Sequence, residues 1–420
     1  MSSIFCSKKY LVWPIIWAFF LASPCYAQFD ISLNQNIYYD DHIYKNYLDI
    51  ADMVNQTSLK IGYRHTWLNW HFYPTYNGNV YFFRDESDHT FHVHYTGLTI
   101  NRMFGANRNY FNMGFNFSKR YNKNTFNLYD LNDMNGYANI QSKIVLGFLM
   151  NIGYNFQDRH FINLSQYSYV EHSAFLRLSK FLPTKTTIIF ETDFGYKKYS
   201  GKTTITKIQE TIYTNDPVSS KGKGRGYGYG RGKDSPGNPK QDSTIITSLI
   251  YIAEVPFAKQ GQTRIRIAQA IGSDAGVGIE FLKRWNPTKN NRYISGQESG
   301  YTEDDELFDD VYSFESAEWS AFLSQKMPYT IIFRLGANIS LKNYPNIPAL
   351  NMLGERKLPY SDRKDQKNVY WSSLQKRFLG TYLFKGFVMN LQLEYVSNRS
   401  NDPFYQYEGL VFSAGLGLEF

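Results

Sequence analysis

The sequence predicts an all-β fold, a closed antiparallel transmembrane β-barrel of about 16 strands. Three observations support this prediction. Apolar and polar residues alternate along most of the 420-residue chain, which is the period of a strand with two different faces. Short turns alternate with longer polar loops, and the alternation continues to the last residue. The pattern therefore indicates one continuous series of β-hairpins.

The last segment, GLVFSAGLGLEF, raises the question of what anchors the end of the chain, because the last residues of a soluble domain usually fray. Its apolar parity consists of Leu410, Phe412, Ala414, Leu416, Leu418 and Phe420. Its other parity consists of Ser413, Gly415, Gly417 and Glu419. Hydrocarbon offers no water to backbone groups, so we expect this strand to contact lipid on one side and to close against the first strand.

The start of the chain has the pattern of a secretory signal peptide, which we place at residues 1–27. Two lysines precede an apolar run at residues 10–22, and small residues follow it. Acylation of Cys25, as in a lipoprotein, is the weaker alternative, because Pro24 fits that signal poorly. Both cysteines, Cys6 and Cys25, leave with the signal, so the exported chain is expected to fold without disulfides.

The composition agrees with a large β-barrel and not with a bundle of helices. Aromatic residues make up 18% of the chain, and the mean hydropathy of -0.44 argues against a bundle of transmembrane helices. Removing two lysines with the signal lowers the formal charge from +8 to +6 (8 − 2 = 6), a modest basicity that suits anionic lipid. We expect outer-membrane lipid and lipopolysaccharide as partners, and the compartment argues against nucleic acid.

Residues 28–420 are predicted to form one barrel with seven short turns and eight longer loops. The longest loop, at about residues 200–243, is basic and rich in glycine. Residues 244–255 and 262–271 both alternate, and we interpret them as one long strand with a bulge near Pro256, where proline is tolerated. The strand count around residues 244–272 stays open.

The signal segment, about sixteen alternating segments and a final strand ending in Phe together resemble Gram-negative outer-membrane β-barrels. The segments FDDVYSFES and AIGSDAGVGIEF are similar to segments of uncharacterised, porin-like barrels of that group. The resemblance implies that the barrel-assembly machinery recognises the last strand. The residues concerned are Phe412, Leu416, Leu418 and Phe420. No catalytic residues and no cofactor follow from the resemblance.

Function is expected on the inward face, where side chains meet water. A barrel of this size leaves an aqueous lumen unless loops fill it, so we expect passive diffusion of small polar solutes. The predicted pore-lining residues are Lys60, Arg64, Arg177, Glu191, Arg264, Arg266, Glu280 and Arg334. A ring of arginines would select anions, whereas arginines paired with glutamates would only fill the lumen. The alternative function is an envelope export or interaction barrel without an open pore, for example in polysaccharide secretion.

Three further patterns carry weaker signals. In the basic loop, Arg225, Tyr227 and Arg231 could contact lipopolysaccharide phosphates or acidic glycans. The run TEDDELFDD offers oxygen ligands, but its spacing is not that of an EF-hand calcium loop. His92 and His94 share one face without a third ligand in view, so we expect no metal site. No histidine and serine have a spacing that indicates a catalytic site, and we expect no enzyme activity.

The apolar parity of each strand is expected to face lipid, including that of the segment with Phe91, Val93 and Tyr95. Amphipathic rings favour the level of the lipid headgroups. We therefore expect four tryptophans to contribute to girdles at the membrane interfaces. These are Trp67, Trp70, Trp319 and Trp371.

Overall fold

The computed structural model describes residues 28–105, 109–200, 257–289, 309–380 and 386–420, and this part of the chain forms a closed barrel of sixteen antiparallel strands. Each strand pairs with the strands before and after it in the sequence, and β1 pairs with β16. The predicted fold class and strand number are therefore confirmed.

The strands are long enough to cross a membrane when tilted, since about 9–11 residues suffice. They are β1 (Gln28–Asp40), β2 (Asp52–Trp67), β3 (Trp70–Phe83), β4 (Phe91–Phe104), β5 (Asn109–Asn122), β6 (Leu131–Lys143), β7 (Leu149–Phe161), β8 (Tyr169–Phe181), β9 (Thr186–Tyr199), β10 (Phe257–Ile271), β11 (Ala275–Trp285), β12 (Glu315–Lys326), β13 (Ile331–Pro348), β14 (Asp362–Leu379), β15 (Gly386–Ser400) and β16 (Tyr407–Glu419).

Short 3₁₀ turns lie in several connections: Ser87–His89, Asn124–Tyr129, Val145–Gly147, Ser165–Tyr167, Val311–Ser313, Pro328–Thr330 and Pro403–Tyr405. Within the described ranges, none of the helical segments has the length and apolar character needed to span a membrane.

The two ends of the barrel differ in their connections. Each even-numbered strand is joined to the next by two to six residues, whereas the odd-numbered strands are followed by six residues at β15 and by seven or more elsewhere. The start of β1 and the end of β16 lie at the short-turn end. This layout is the predicted one. The signal segment, the basic loop and residues 244–255 lie outside the described residues, and the described part of β10 begins at Phe257, directly after the predicted bulge position.

Closure of the barrel explains the alternation at the end of the chain. In the pairing of β1 with β16, Leu33 lies opposite Leu418 and Tyr39 lies opposite Phe412. The pairing extends to the last residue, where the backbone N–H of Phe420 donates to the carbonyl oxygen of Ile31 at 2.9 Å. A closed ladder pairs the backbone groups of both edge strands, as a hydrocarbon environment requires.

The two faces of the sheet differ in chemistry. Exposed, large apolar side chains such as Leu59, Phe115 and Ile279 lie on one face of the sheet. The other face carries mostly amide, hydroxyl and charged groups. The polar face is the inward one, because the segment Asp309–Phe314 contacts that face of both β9 and β13. One short segment can reach strands so far apart only across the concave side of the sheet.

The predicted orientation of β4 is wrong. Phe91 and Val93 point inward and are buried with Val54 and Phe83, whereas the register of β4 with β3 and β5 places His92 and His94 outward. The outward histidines contact one another, with a ring nitrogen of each 2.9 Å apart. The apolar character of alternate residues alone therefore assigns the wrong face of β4 to lipid, because the loop end of this strand packs against other inward apolar side chains.

The tryptophan prediction is wrong for Trp371. Its indole lies on the inward parity, over Gly336 of β13, where a Cβ atom would collide with the ring. Glycine is needed at this position because the indole lies almost on the backbone. Trp67, Trp70 and Trp319 lie on the outward parity, and Trp67 and Trp319 are exposed there.

Candidate functional site: the inward wall of the barrel

Five of the predicted pore-lining residues form one continuous ion-pair network on the inward face, which we call the charge ladder. Its members are Arg177 on β8, Glu191 on β9, Arg264 and Arg266 on β10, and Glu280 on β11. The strand register creates the ladder, because Glu191 lies opposite both Arg177 and Arg264, and Glu280 lies opposite Arg266. Opposite side chains in an antiparallel pair are close enough to form ion pairs.

Each carboxylate of the charge ladder binds two arginines. Nη1 of Arg264 lies 3.0 Å from Oε1 of Glu191, and Arg177 binds the other oxygen of Glu191. Glu280 accepts a hydrogen bond from Nε of Arg266 at 2.6 Å, and its Oε1 lies 3.3 Å from Nε of Arg264 without hydrogen-bond geometry. Three arginines and two glutamates leave the ladder with a net charge of +1.

Accessibility differs between the two signs of charge in the ladder. The side chain of Glu191 is 7% exposed, whereas those of Arg177 and Arg266 are 46% and 44% exposed. The guanidinium groups therefore cover the carboxylates and form the surface that faces the lumen. Their residual exposure shows that there is open space on the inward side of these strands.

The other three predicted pore-lining residues also have the inward parity but lie outside the ladder. Arg64 on β2 is 3.7 Å from Asp30 of β1, and Arg334 on β13 donates to Gln375 at 3.2 Å. Lys60 lies on the inward face of β2 and has no acidic partner within 4 Å among the described residues. The structure thus gathers five of the eight predicted residues and leaves three dispersed.

A second set of basic residues, not predicted as a site from the sequence, lies near the loop end of the inward face. We call this set the basic collar: Arg120, Arg159, Lys197, Arg284, Lys342 and Arg363. Carboxylates pair with these residues: Asp133 with Arg159, Asp310 with Lys197, Glu318 with Arg284, Asp309 with Lys342 and Asp365 with Arg363. Buried charges are tolerated when paired in this way.

Aromatic rings cover the basic collar. The guanidinium carbon of Arg120 lies 3.7 Å from the ring centroid of Phe91, and that of Arg363 lies 3.2 Å from that of Tyr405. Nζ of Lys197 lies 3.7 Å from the ring centroid of Tyr169. These distances are in the range of cation–π attraction. Part of the high aromatic content therefore stabilises the inward rim of the barrel rather than contacting lipid.

The described part of the acidic run TEDDELFDD is anchored to the collar. Asp310 pairs with Lys197 at 3.1 Å, and both side chains are 1% exposed. Burial alone would raise the pKa of the Asp309 carboxyl, but the charges of Lys342 and Arg363 outweigh burial and lower that pKa to about 2. Glu303, Asp304, Asp305 and Glu306 lie outside the described residues.

Strands β1–β7 present a different inward surface, which we call the amide wall. Away from the strand ends, Lys60 is the single charged inward residue of these seven strands, whose residues are all described. The inward amide side chains there are Asn34, Asn36, Gln56, Asn77, Asn79, Asn101, Asn112, Asn116, Asn122, Asn135, Asn139, Gln141, Asn151, Asn155 and Gln157. We call the inward face of β8–β13, which carries the ladder, the charged wall.

The remaining predicted residues occupy other places. Phe412, Leu416 and Leu418 lie on the outward parity of β16, and their role in assembly stays a prediction. Phe420 follows directly after β16 and is also exposed. The loop residues Arg225, Tyr227 and Arg231 lie outside the described residues.

The chain matches no protein-family model and no curated protein. Among solved structures it is similar to the Pseudomonas aeruginosa outer membrane protein opdK, with 9% identity, a TM-score of 0.47 and coverage of 94% of this chain and 99% of that chain. It is similar to P. aeruginosa OccK5 (OpdH), with 10% identity, a TM-score of 0.47 and coverage of 94% and 98%. It is also similar to Acinetobacter baumannii OccAB1, with 9% identity, a TM-score of 0.45 and coverage of 94% and 96%.

Proposed function

We propose that the chain is a porin-like channel of a bacterial outer membrane, through which small polar solutes diffuse passively. A closed ladder of sixteen strands with an apolar outward face suits hydrocarbon. Barrels of 16–18 strands leave an aqueous channel, whereas barrels of about eight strands are filled by side chains. The size and the two faces of this barrel therefore favour conduction.

The observation that carries the proposal is the exposure of the charge ladder. Arg177 and Arg266 are inward-facing and lie four and five residues from the nearer ends of their strands, yet nearly half of each side chain is exposed. A guanidinium needs water or hydrogen-bond acceptors around it, so the space beside these groups would hold water. A water-filled lumen at this level is the requirement for diffusion of polar solutes.

The proposal includes the route by which the chain would reach the membrane. Residues 1–27 would direct export, and the barrel-assembly machinery would recognise the last strand. Lipopolysaccharide would surround the loop end of the barrel, where Arg225, Tyr227 and Arg231 of the basic loop would contact its phosphates. Solutes that do not bind to the wall would diffuse through the lumen between the amide wall and the charged wall.

Single-channel recording in planar bilayers tests the proposal. We expect stable, ohmic conductance from the purified, folded protein. A silent barrel that co-purifies with envelope proteins would contradict the proposal and support the alternative, an export or interaction barrel without an open pore. The folded state is checked in parallel by the heat-modifiable electrophoretic mobility typical of closed barrels, so that a silent sample cannot result from unfolded protein.

A further inference from the structure

A cavity of about 190 Å³ lies on the wall formed by β6, β7 and β8, where the amide wall meets the charged wall. Six of its lining residues have the inward parity: Asn135, Tyr137, Asn155, Gln157, Glu171 and Ser173. At about 30 Å³ per water molecule, the cavity has room for roughly six waters. It is therefore larger than a single ion requires and suits one small, ring-shaped solute.

The strand register arranges the six side chains in two adjacent rows. Asn135 lies opposite Gln157, and Gln157 lies opposite Glu171. In the second row, Tyr137 lies opposite Asn155, which in turn lies opposite Ser173. Because opposite residues lie about 4.5–5.5 Å apart, the six polar groups form one compact surface.

The amides of this surface are held in position and keep unused hydrogen-bonding capacity. Nε2 of Gln157 donates to Oδ1 of Asp133 at 2.8 Å, and Nδ2 of Asn155 donates to Oγ of Ser173 at 3.3 Å. Each amide has two N–H donors and a carbonyl acceptor, so one donor bond leaves the other donor and the oxygen for a solute. Neighbouring donors and acceptors match a pair of adjacent hydroxyl groups, each of which can both donate and accept.

Two aromatic rings lie flat against the wall beside the polar rows. The ring of Tyr137 covers Gly114 of β5, and the ring of Phe175 covers Gly153 of β7, since a Cβ atom at either glycine would collide with the ring. The hydroxyl of Tyr137 lies 3.2 Å from that of Thr99 of β4, away from the cavity's other polar groups. The faces of both rings are therefore directed to the lumen, and a ring face attracts positively polarised C–H groups.

The two arginines beside the cavity are paired with carboxylates, and the carboxylate of Glu171 lines the cavity itself. Arg159 is buried and paired with Asp133 at 3.1 Å, and Arg177 is paired with Glu191. These guanidinium groups are thus neutralised before any solute enters. The cavity combines amides, one carboxylate, the hydroxyl of Ser173 and the ring of Tyr137, and the ring of Phe175 lies on the neighbouring row of β8. Together they match a molecule with several hydroxyls and an apolar C–H face.

We propose that this cavity binds a neutral sugar ring. The proposal deepens the proposed function and rests on it in one respect, that the inward face borders water. The hydroxyls of the sugar would bond to Asn135, Asn155, Gln157 and Glu171, and its C–H face would pack against Tyr137 or Phe175. Neutral, polyhydroxylated solutes would then be retained on the wall during passage.

Saturation-transfer NMR of the purified, detergent-solubilised full chain tests the site with three probes of similar size: glucose, gluconate and protonated glucosamine. We expect the strongest signal for glucose. In Asn155→Ala/Gln157→Ala, glucose binding should weaken at least about tenfold, the loss expected for two hydrogen bonds. Asn155→Asp, which keeps the side-chain size and removes the amide donors, should weaken binding less but measurably.

Asn390→Ala is the matched control, because Asn390 is an inward amide of β15 outside the cavity. It should bind glucose as the wild type does. Equal glucose signals in the wild type and in the double variant would overturn the proposal. A stronger signal for gluconate or glucosamine, or an equal loss in Asn390→Ala, would overturn it as well.

Conductance recorded on the same samples separates this proposal from the proposed function. Conductance without a glucose signal would refute the sugar site and leave the channel intact. A glucose signal that disappears in Asn155→Ala/Gln157→Ala, from a barrel without conductance, would refute the channel and support the sugar site.

Discussion

The amide wall and the charged wall occupy the same barrel but satisfy their polar groups in different ways. On the charged wall, Arg177, Arg264 and Arg266 are neutralised by two glutamates from neighbouring strands, and the segment Asp309–Phe314 is anchored at its loop end. On the amide wall, uncharged side chains meet the lumen directly. A polar lining therefore does not imply a strong electrostatic field in the lumen, because ion pairs across strands cancel most of the charge.

The largest effect, a loss of thermal stability, is expected where the segment Asp309–Phe314 is attached to the charged wall. Asp310→Ala removes the carboxylate that lies 3.1 Å from Nζ of Lys197, and both side chains are only 1% exposed in the pair. Breaking such a pair by removing one partner typically costs about 3–5 kcal/mol. The temperature at which the heat-modifiable gel band is lost should fall. An unchanged temperature would show that the pair does not stabilise this wall.

The next effect concerns ion selectivity. Arg264→Ala/Arg266→Ala/Arg334→Ala changes the net charge of the ladder from +1 to −1 and removes a third inward arginine. A unit charge about 7 Å from a permeating ion in water contributes roughly 0.6 kcal/mol, which changes the permeabilities of an anion and of a cation about threefold in opposite directions and their ratio up to about sevenfold. Loss of the two ladder charges should therefore shift the anion-to-cation ratio up to about fiftyfold toward cations. Reversal potentials across a salt gradient measure this ratio.

Arg102→Ala/Lys180→Ala/Lys376→Ala is the control for that experiment, because it removes three basic residues from the outward parity near the short turns. Its selectivity should match that of the wild type. If both triple variants shift selectivity equally, the effect belongs to total charge and not to the charged wall.

A smaller and opposite shift is expected from Glu191→Gln. Glutamine keeps the size of the side chain but removes the charge that Arg177 and Arg264 share, so the ladder changes from +1 to +2. The anion-to-cation permeability ratio should rise up to about sevenfold. Glu394→Gln removes the same charge from the inward face of β15, away from the ladder, and should have a smaller effect. A larger shift from Glu394→Gln would contradict the role of the ladder.

The smallest effect on selectivity is expected on the amide wall. Asn112→Ala/Asn139→Ala removes two amides that lie opposite each other on β5 and β6. The variant carries no change of charge, so its reversal potential should equal that of the wild type. A shift as large as that of Glu191→Gln would show that the amide wall, and not the charged wall, sets ion selectivity.

Much of the fold could be predicted from the alternation, because one residue of register moves every side chain of a strand to the other face. The last strand is an example, since its apolar parity requires lipid on one side and a partner strand for closure. β4 could not be assigned in this way. Phe91 and Val93 alternate with His92 and His94, and only the register with β3 and β5 decides which pair points outward.

The candidate site could be predicted only in part. The inward parity of Arg177, Arg264 and Arg266 follows from their own strands, but their pairing with Glu191 and Glu280 depends on registers between strands. The basic collar was missed because each basic residue, its carboxylate and its aromatic cover come from different parts of the chain. One signal was present, since Arg120, Arg159 and Lys197 recur at almost equal separations near the ends of β5, β7 and β9.

The central claim, that the inward parity lines a water-filled conducting lumen, is tested most directly on two adjacent residues of β12. Ser320 has the inward parity and Ala321 the outward parity. With Cys6 and Cys25 replaced by serine, Ser320→Cys and Ala321→Cys are each exposed to a charged, membrane-impermeant thiol reagent during single-channel recording. Conductance should fall in steps for Ser320→Cys and stay constant for Ala321→Cys. A constant conductance for Ser320→Cys, or equal steps for both variants, would contradict the account.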